Sequence, residues 1–185
     1  MKSICVIGSG ISGSTVANLL SKKYKVDVYE KAKGIGGRSS HRRYLNKLGF
    51  DHGLQYISPK TSKFKKFCSG LQKKRVLKKW QGPHKFDHSK VLENKKHTKL
   101  IGAKGNNAIS KYLLKNINCI FGYELFKIER IRKNWKLSFL NGDVKYYEIL
   151  IISIPFAQSK KLLKKFLPNF FKNKKVKMEA NITVM

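Results

Sequence analysis

Gly8, Gly10 and Gly13 fall at GxGxxG spacing, after the apolar run Ser3 to Ile7 and before a helix-like stretch from Ser14 to Lys22. Three glycines alone are common, so the order strand, glycine turn, helix is what gives the motif meaning. The first glycine permits a tight turn, the second lets backbone approach a pyrophosphate, and the third allows close helix packing. At the helix start, Ile11 and Ser12 offer backbone N–H groups and partial positive charge to phosphate. Glu30 lies 17 residues past Gly13, at the end of the next apolar run. A carboxylate there can accept hydrogen bonds from both ribose hydroxyls of an adenosine and disfavours a 2′-phosphate. The chemistry implied is the binding of an adenine dinucleotide.

A second group follows within a few residues, Gly34-Ile35-Gly36-Gly37-Arg38-Ser39. Glycines this dense let the chain pass close to a bulky ligand, and an arginine among them can lie along a diphosphate. Alone it reads as a flexible basic loop. Coupled to GxGxxG and Glu30, it suggests two phosphate-binding elements converging on one ligand.

The elements that must position these residues follow from periodicity. Lys25 to Tyr29 completes a βαβ unit with Ser3 to Ile7, of about the 30-residue length a parallel crossover requires. Lys31 to His52 reads as a long loop, or a loop with a short helix. Thr61 to Leu71 reads as an amphipathic helix, since Phe64, Phe67 and Leu71 recur at helical spacing. Between Lys73 and Lys99, Val76-Leu77, Trp80 and Val91-Leu92 suggest short antiparallel strands around Gly82-Pro83. A glycine turn at Gly102 to Asn107 precedes a helix at Ala108 to Leu114. Strands are expected at Cys119 to Phe121, Leu125 to Arg132 and Trp135 to Phe139, with an Asn141-Gly142 hairpin leading to Asp143 to Tyr147. Glu148 to Ile154 reads as a parallel strand buried on both faces, stopped by Pro155. Phe156 to Phe166 reads as a helix and Val176 to Met185 as a strand.

Composition bounds the remaining possibilities. The chain has 185 residues, 41% of them hydrophobic, which suffices for a core of one ordinary domain. Its formal charge is +31, from 35 Lys and 6 Arg against 10 acids. Basic patches attract phosphate polymers, but these lysines are spread through nearly every segment and no nucleic-acid motif accompanies them. No specific nucleic-acid partner is therefore expected. Cys5, Cys68 and Cys119 show neither CxxC spacing nor a companion histidine cluster, so no disulfide framework or metal site is expected, and a reducing cytoplasm fits. No apolar run is long enough to span a bilayer.

These stretches together resemble the FAD-dependent amine oxidase superfamily, and within it the renalase-like oxidoreductases. The likeness is carried by Val6 to Gly13, Tyr29-Glu30-Lys31, Gly36-Gly37-Arg38-Ser39 and Gly49-Phe50-Asp51-His52-Gly53-Leu54-Gln55-Tyr56. Arg42-Arg43, Gly102 to Ala108 and Ile151 to Pro155 add to it. The resemblance implies an α/β fold, a Rossmann-type FAD-binding domain with an inserted, incomplete antiparallel-sheet substrate domain. It divides the chain into 1–72 and 101–160 for FAD, 73–100 for the insertion, and 161–185 for the start of a truncated substrate domain.

By the same resemblance, Ser12 and Arg38 contact the diphosphate, Glu30 holds the adenosine ribose, Leu125 presents backbone to the adenine, and Lys31 belongs to the cofactor-binding set. Gly8, Gly10, Ile11, Gly13 and Gly37 complete the cofactor set. Gln55 and Tyr56 approach the flavin or the substrate cavity. Tyr56 also reads as a core aromatic with a locally bonded hydroxyl, and His52 as a base or a packing histidine. The implied activity is hydride transfer from a reduced small molecule, an amine or a dihydronicotinamide, to FAD, with oxygen as acceptor. Isoalloxazine takes the hydride itself, so the absence of a catalytic triad does not count against an enzyme. The shortness of the chain keeps open an alternative, a non-catalytic dinucleotide-binding fragment. The oligomeric state is open as well.

Overall fold

Apolar residues at Ser3–Ile7 leave almost nothing to solvent, with Ile4, Cys5, Val6 and Ile7 at 4% exposure or less. The computed structural model describes residues 2–44, 48–81, 98–174 and 176–179. In chain order the elements begin β1 (Ser3–Ile7), α1 (Ile11–Leu20), β2 (Lys25–Glu30), a short 3-10 turn (Gly37–Ser39), β3 (His41–Tyr44) and β4 (Leu48–Asp51). Next come α2 (Ser62–Lys73), β5 (Leu77–Lys79), β6 (Leu100–Gly102), α3 (Ala108–Leu113) and β7 (Asn118–Phe121). The last are β8 (Leu125–Ile131), β9 (Asn134–Phe139), β10 (Val144–Tyr147), β11 (Ile149–Ile152), α4 (Phe156–Leu163) and α5 (Pro168–Asn173). Two compact units result: one takes the chain up to Arg38 and again from Ser110, the other takes Ser39–Ile109.

The first unit is built on a parallel sheet of order β11-β1-β2-β7. Side chains alternate across a strand, so β1 serves two cores. Ile4 and Val6 pack with Ala17 of α1, Val26, Val28 and Leu114. Cys5 and Ile7 pack with Tyr29, Ile128, Leu137, Phe139, Tyr147 and Leu162. The antiparallel sheet β10-β9-β8 and α4 thus cover the face opposite α1. Each fully buried aliphatic side chain contributes roughly 1.5–3 kcal/mol of transfer free energy, which makes β1 the element the unit can least lose.

Three expectations change here. The run read as a strand buried on both faces is β11, parallel to β1 as expected, but Ile149–Ile152 are only half-buried because β11 is an edge strand. A separate helix, α5, follows α4, with Pro168 in its first turn as its start signal. Val176–Glu179 carry no strand, and the rest of that expected strand, residues 180–185, lies outside the described residues. The Asn141-Gly142 hairpin does form: Gly142 sits at φ +90 and its N–H donates to the Phe139 carbonyl at 3.0 Å.

In the second unit, β3 and β4 form an antiparallel hairpin where a long loop was expected. Its strands are largely exposed, so no apolar alternation announced them. The pair His41 and Asp51, opposite one another in the ladder, joins them by an Nδ1 to Oδ1 contact of 2.9 Å. Thr61 caps α2 by accepting from the Phe64 N–H at 3.3 Å. β5 pairs with β6 in the antiparallel sense. The expected turn at Gly82-Pro83 and strand at Val91-Leu92 lie outside the described residues.

A buried polar chain links the two sheets of the first unit. Tyr147 donates to Asp27 Oδ2 at 2.8 Å, so its oxygen accepts from the Tyr29 hydroxyl, also at 2.8 Å. Asn118 donates to the other Asp27 oxygen at 2.7 Å. Burial, reinforced by the nearby Asp27 carboxylate, pushes the Cys5 thiol and both phenols above their ordinary values of 9.0 and 10.0. The folded state therefore keeps protons that an unfolded chain releases near those values, and unfolding gains favour as pH rises. Stability should hold level to about pH 8.5 and then fall by up to about 1.4 kcal/mol per pH unit for each group. Urea midpoints between pH 7 and 11 check this; a midpoint that rises above pH 9 contradicts it.

Candidate nucleotide-binding site

The turn between β1 and α1 gives each glycine of the motif a separate physical role. Gly8 adopts φ +100, a left-handed conformation that glycine tolerates, and a Cβ there would meet Ile154 Cγ2 and Ser153 Oγ at 3.1 Å. Gly13 is closed in by the Gly8 carbonyl oxygen and Ser153 Oγ, which a Cβ would overlap. At Gly10 a Cβ would make only ordinary van der Waals contacts, with Gly36 O at 3.9 Å and Gly37 Cα at 4.0 Å. Two glycines thus serve packing and the middle one leaves room for an approaching ligand.

The second glycine run meets the first directly. Gly36 donates to the Ser9 carbonyl at 3.2 Å and pairs with Gly10 in an isolated parallel bridge. Gly37, at φ +55, would place a Cβ 3.2 Å from Gly10 Cα. The two glycine runs therefore lie against one another, and Arg38 follows directly on the second. Arg38 is exposed and, among the described residues, makes no ion pair. Helix α1 begins without a side-chain cap and without an acidic residue in its first turn. Its positive end, at exposed Ile11 and Ser12, is left for an anion.

Glu30 is 8% exposed at the end of β2. One of its oxygens accepts from Ser9 N–H at 2.9 Å and from Ser9 Oγ at 2.7 Å; the other accepts from Ala32 N–H at 2.9 Å. About four acceptor positions exist on a carboxylate, so the loop itself takes up three. Glu30 is hence first a brace for the glycine turn, a duty the sequence did not disclose. Three serines share that duty. Ser9 binds Glu30, Ser14 Oγ donates to the Ser9 carbonyl at 3.0 Å, and Ser153 Oγ lies 2.8 Å from the Ile7 carbonyl and 3.0 Å from that of Gly8. Small polar residues inside apolar or glycine-rich runs were the only sign of them. Lys31 is exposed just past Glu30, and Leu125 starts β8 with its side chain in the core beside Tyr29. Diphosphate and ribose fit this arrangement: an open glycine, an uncapped helix start and a fixed carboxylate lie within one unit.

His52, Gln55 and Tyr56 belong to the other unit, Ser39–Ile109. His52 Nε2 is hydrogen-bonded with Ser40 Oγ at 2.9 Å. Gln55 is exposed, and its segment is pinned by fully buried Asn106, whose Nδ2 donates to the Leu54 carbonyl at 2.5 Å and the Gln55 carbonyl at 3.1 Å. Asn106 in turn accepts from Gly102 N–H at 2.9 Å and donates its own N–H to Asp51 Oδ1 at 2.8 Å. Ile57 and Leu100 exchange backbone bonds of 2.7 and 2.8 Å, completing the clamp. Half-buried Tyr56 lies 5.5 Å from the Trp80 ring, with Lys99 Nζ 4.4 Å from its centroid. Among the described residues, no three His, Cys, Asp or Glu side chains are grouped for a metal ion, and no helix is long and apolar enough to cross a membrane.

Comparison with known proteins agrees with this reading of the fold. Residues 6–71 match the family described as NAD(P)-binding Rossmann-like domain. A structure of a putative protoporphyrinogen oxidase from Exiguobacterium sp. 255-15 is similar over 92% of this chain and 63% of its own, at 11% identity and a TM-score of 0.68. A crystal structure of tetracycline destructase Tet(51) is similar over 88% of this chain and 41% of its own, at 15% identity and a TM-score of 0.58. The chain thus spans less than two thirds of either structure's length. Its parallel sheet, glycine turn and accompanying antiparallel sheets make it an α/β protein with a Rossmann-like nucleotide-binding unit.

Proposed function

We propose that the chain binds FAD at the paired glycine runs and belongs to an oxidoreductase that takes hydride from a reduced small molecule, an amine or a dihydronicotinamide. Oxygen is the acceptor in this reading. The observation that carries it is Gly10, where a Cβ would make only ordinary contacts while one at Gly8 or Gly13 would crowd or overlap its neighbours, and against which a second glycine run lies. An oxidase name on one structural neighbour supports the class of reaction.

In this reading, N–H groups at Ile11 and Ser12, together with Arg38, hold the diphosphate. Glu30, already fixed by Ser9 and Ala32, accepts from the adenosine ribose with its remaining capacity, and Lys31 flanks it. Leu125 lends backbone near the adenine. Gln55 and Tyr56, on a segment clamped by Asn106, meet the substrate, and His52 keeps its bond with Ser40. Bound FAD supplies the hydride acceptor, which no side chain can provide.

The visible spectrum of the purified protein, taken before and after adding FAD and desalting, tests the proposal. A retained two-band flavin spectrum is expected; a colourless protein after desalting would sink it for this chain. A second reading, a dinucleotide-binding part without turnover, draws on the 41% and 63% shares of the neighbours' lengths. Retained flavin that anaerobic substrate never bleaches would favour it.

A further inference from the structure

In the first unit, β8 and α4 border a groove of about 470 Å³, within the size range of small-molecule sites. Its floor is apolar, made by Phe126 and Ile128 of β8, Leu162 of α4 and Pro168 at the start of α5. A bulge brings Phe126 there. The ladder to β9 passes from Leu125 opposite Phe139 to Lys127 opposite Ser138, so β8 holds one extra residue, Phe126. Bulges re-aim side chains in this way, and the Phe126 ring is left 53% exposed. Apolar surface beside an apolar floor gains by being covered.

The rim of the groove is cationic. Lys161, Lys164 and Lys165 follow at helical spacing along α4 and the turn after it, and Lys127 belongs to β8. Lys127 is paired with Glu129 at 3.1 Å, and Lys165 Nζ lies 4.9 Å from the Phe166 centroid. Lys161 and Lys164 are exposed and, among the described residues, join no ion pair. The residues of this unit that are not described, Met1, Lys175 and 180–184, include no Asp or Glu. Two ammonium groups beside an apolar floor thus keep their charge for a ligand, and the field they set up draws anions in.

We propose that this groove binds one anionic amphiphile, its carboxylate or phosphate head paired with Lys161 and Lys164 and its apolar chain laid along Phe126, Ile128, Leu162 and Pro168. Neither half of such a ligand suffices alone. A simple anion leaves the floor in water, and a cationic amphiphile meets ammonium groups of its own sign. A small recess bordered by two elements suits a single molecule better than a bilayer, which takes up a broad apolar face. The groove lies with α4, on the face of the parallel sheet opposite α1, so it stands whether or not the glycine turn holds flavin.

Calorimetric titration of the whole chain tests this, with each compound kept below the concentration at which it forms micelles. Decanoate should bind at one site per chain, and neither decyltrimethylammonium nor inorganic phosphate should displace it at equal concentration. Octanoate, two methylenes shorter, should bind about fivefold more weakly, since a partly open groove recovers less than the roughly fifteenfold of full burial. Decyl phosphate separates the two heads: tighter binding than decanoate assigns phosphate, weaker binding assigns carboxylate. Lys161→Gln together with Lys164→Gln should weaken decanoate about tenfold, within the range of two exposed charge pairs. Lys22→Gln with Lys23→Gln, which removes the same charge beyond the end of α1, should leave the affinity unchanged. Rising salt should weaken binding, and urea midpoints check that each variant is folded.

Equal affinity for octanoate and decanoate, displacement by decyltrimethylammonium or by inorganic phosphate, or unchanged affinity in the folded Lys161→Gln, Lys164→Gln variant would each overturn the proposal. So would a protein that ignores decanoate yet sediments with vesicles of phosphatidylcholine and one-third phosphatidylglycerol, because the face would then meet a bilayer and not a single molecule. Flavin is read separately from the visible spectrum. A colourless protein that binds decanoate removes the flavin reading alone, and a yellow protein that ignores decanoate removes this one alone.

Discussion

Replacing Gly10 with alanine should leave the fold standing and abolish dinucleotide binding. Gly10 caps α1 at φ −66, which alanine adopts freely, and the nearest atoms to a new methyl lie at 3.9 and 4.0 Å. The cost to stability is that of exchanging glycine for alanine at an N-cap, below about 1 kcal/mol. In the proposed binding mode, the methyl would nevertheless stand where a diphosphate approaches the N–H groups of Ile11 and Ser12. Losing two hydrogen bonds to charged oxygens, at about 1.5–3 kcal/mol each, lowers affinity at least about a hundredfold. Urea midpoints together with FAD titrations measure both halves. An alanine variant that holds FAD as tightly as the parent would show that the ligand does not pass over Gly10.

Gly13→Ala should do the reverse and destabilise the unit itself. Here the methyl runs into the Gly8 carbonyl oxygen and the Ser153 hydroxyl, and Ser153 is bonded to the carbonyls of Ile7 and Gly8. Neither neighbour can swing away as the end of a long side chain could. Overpacking of this kind costs about 1–3 kcal/mol or more. It also displaces the turn that carries Ser9 against Glu30. The full loss should be about 3 kcal/mol, a fifth to more than half of a total stability of order 5–15 kcal/mol. Gly34→Ala is the control, because nothing lies within 4 Å of its Cβ and its φ is not positive. Its midpoint should move by less than about 0.5 kcal/mol. Equal midpoints for the two variants would refute the packing role given to Gly13.

What the sequence disclosed follows the physics of each signal. Gly8, Gly10 and Gly13 were legible because three different constraints act within six residues, and each leaves glycine as its trace. The strands β1 and β2 were legible because the buried positions of a parallel strand are apolar, as at Ile4 to Ile7 and at Val26 and Val28. Hairpin β3–β4 was not: its residues are largely exposed, and what joins it is the cross-strand pair His41 and Asp51, which has no periodicity. Ile149–Ile152 looked doubly buried because an apolar run records what a strand could bury, and only its neighbours decide what it does bury. At the site, Glu30 was recognised by its distance from the glycines, yet its bonds to Ser9 and Ala32 were invisible until the turn had a shape. Ser153 needed more still, since it reaches Gly8 across 145 positions of sequence.

That separation bears on how the protein comes to be made. Ser3, at the start of the most buried strand, is hydrogen-bonded to Glu148, 145 positions later, and β1 finds its partner β11 only there. At translation rates of about 5–20 residues per second, Ile4 to Ile7 must wait roughly 7–30 s for that neighbour. In that interval β1 can pair with β2 and pack under α1, but its other edge and the face carrying Cys5 and Ile7 stay open. The nascent chain thus offers a sticky strand to the cell long before it can cover it, and its yield should depend on chaperones that shelter exposed strands and on the pace of the ribosome across residues 39–109.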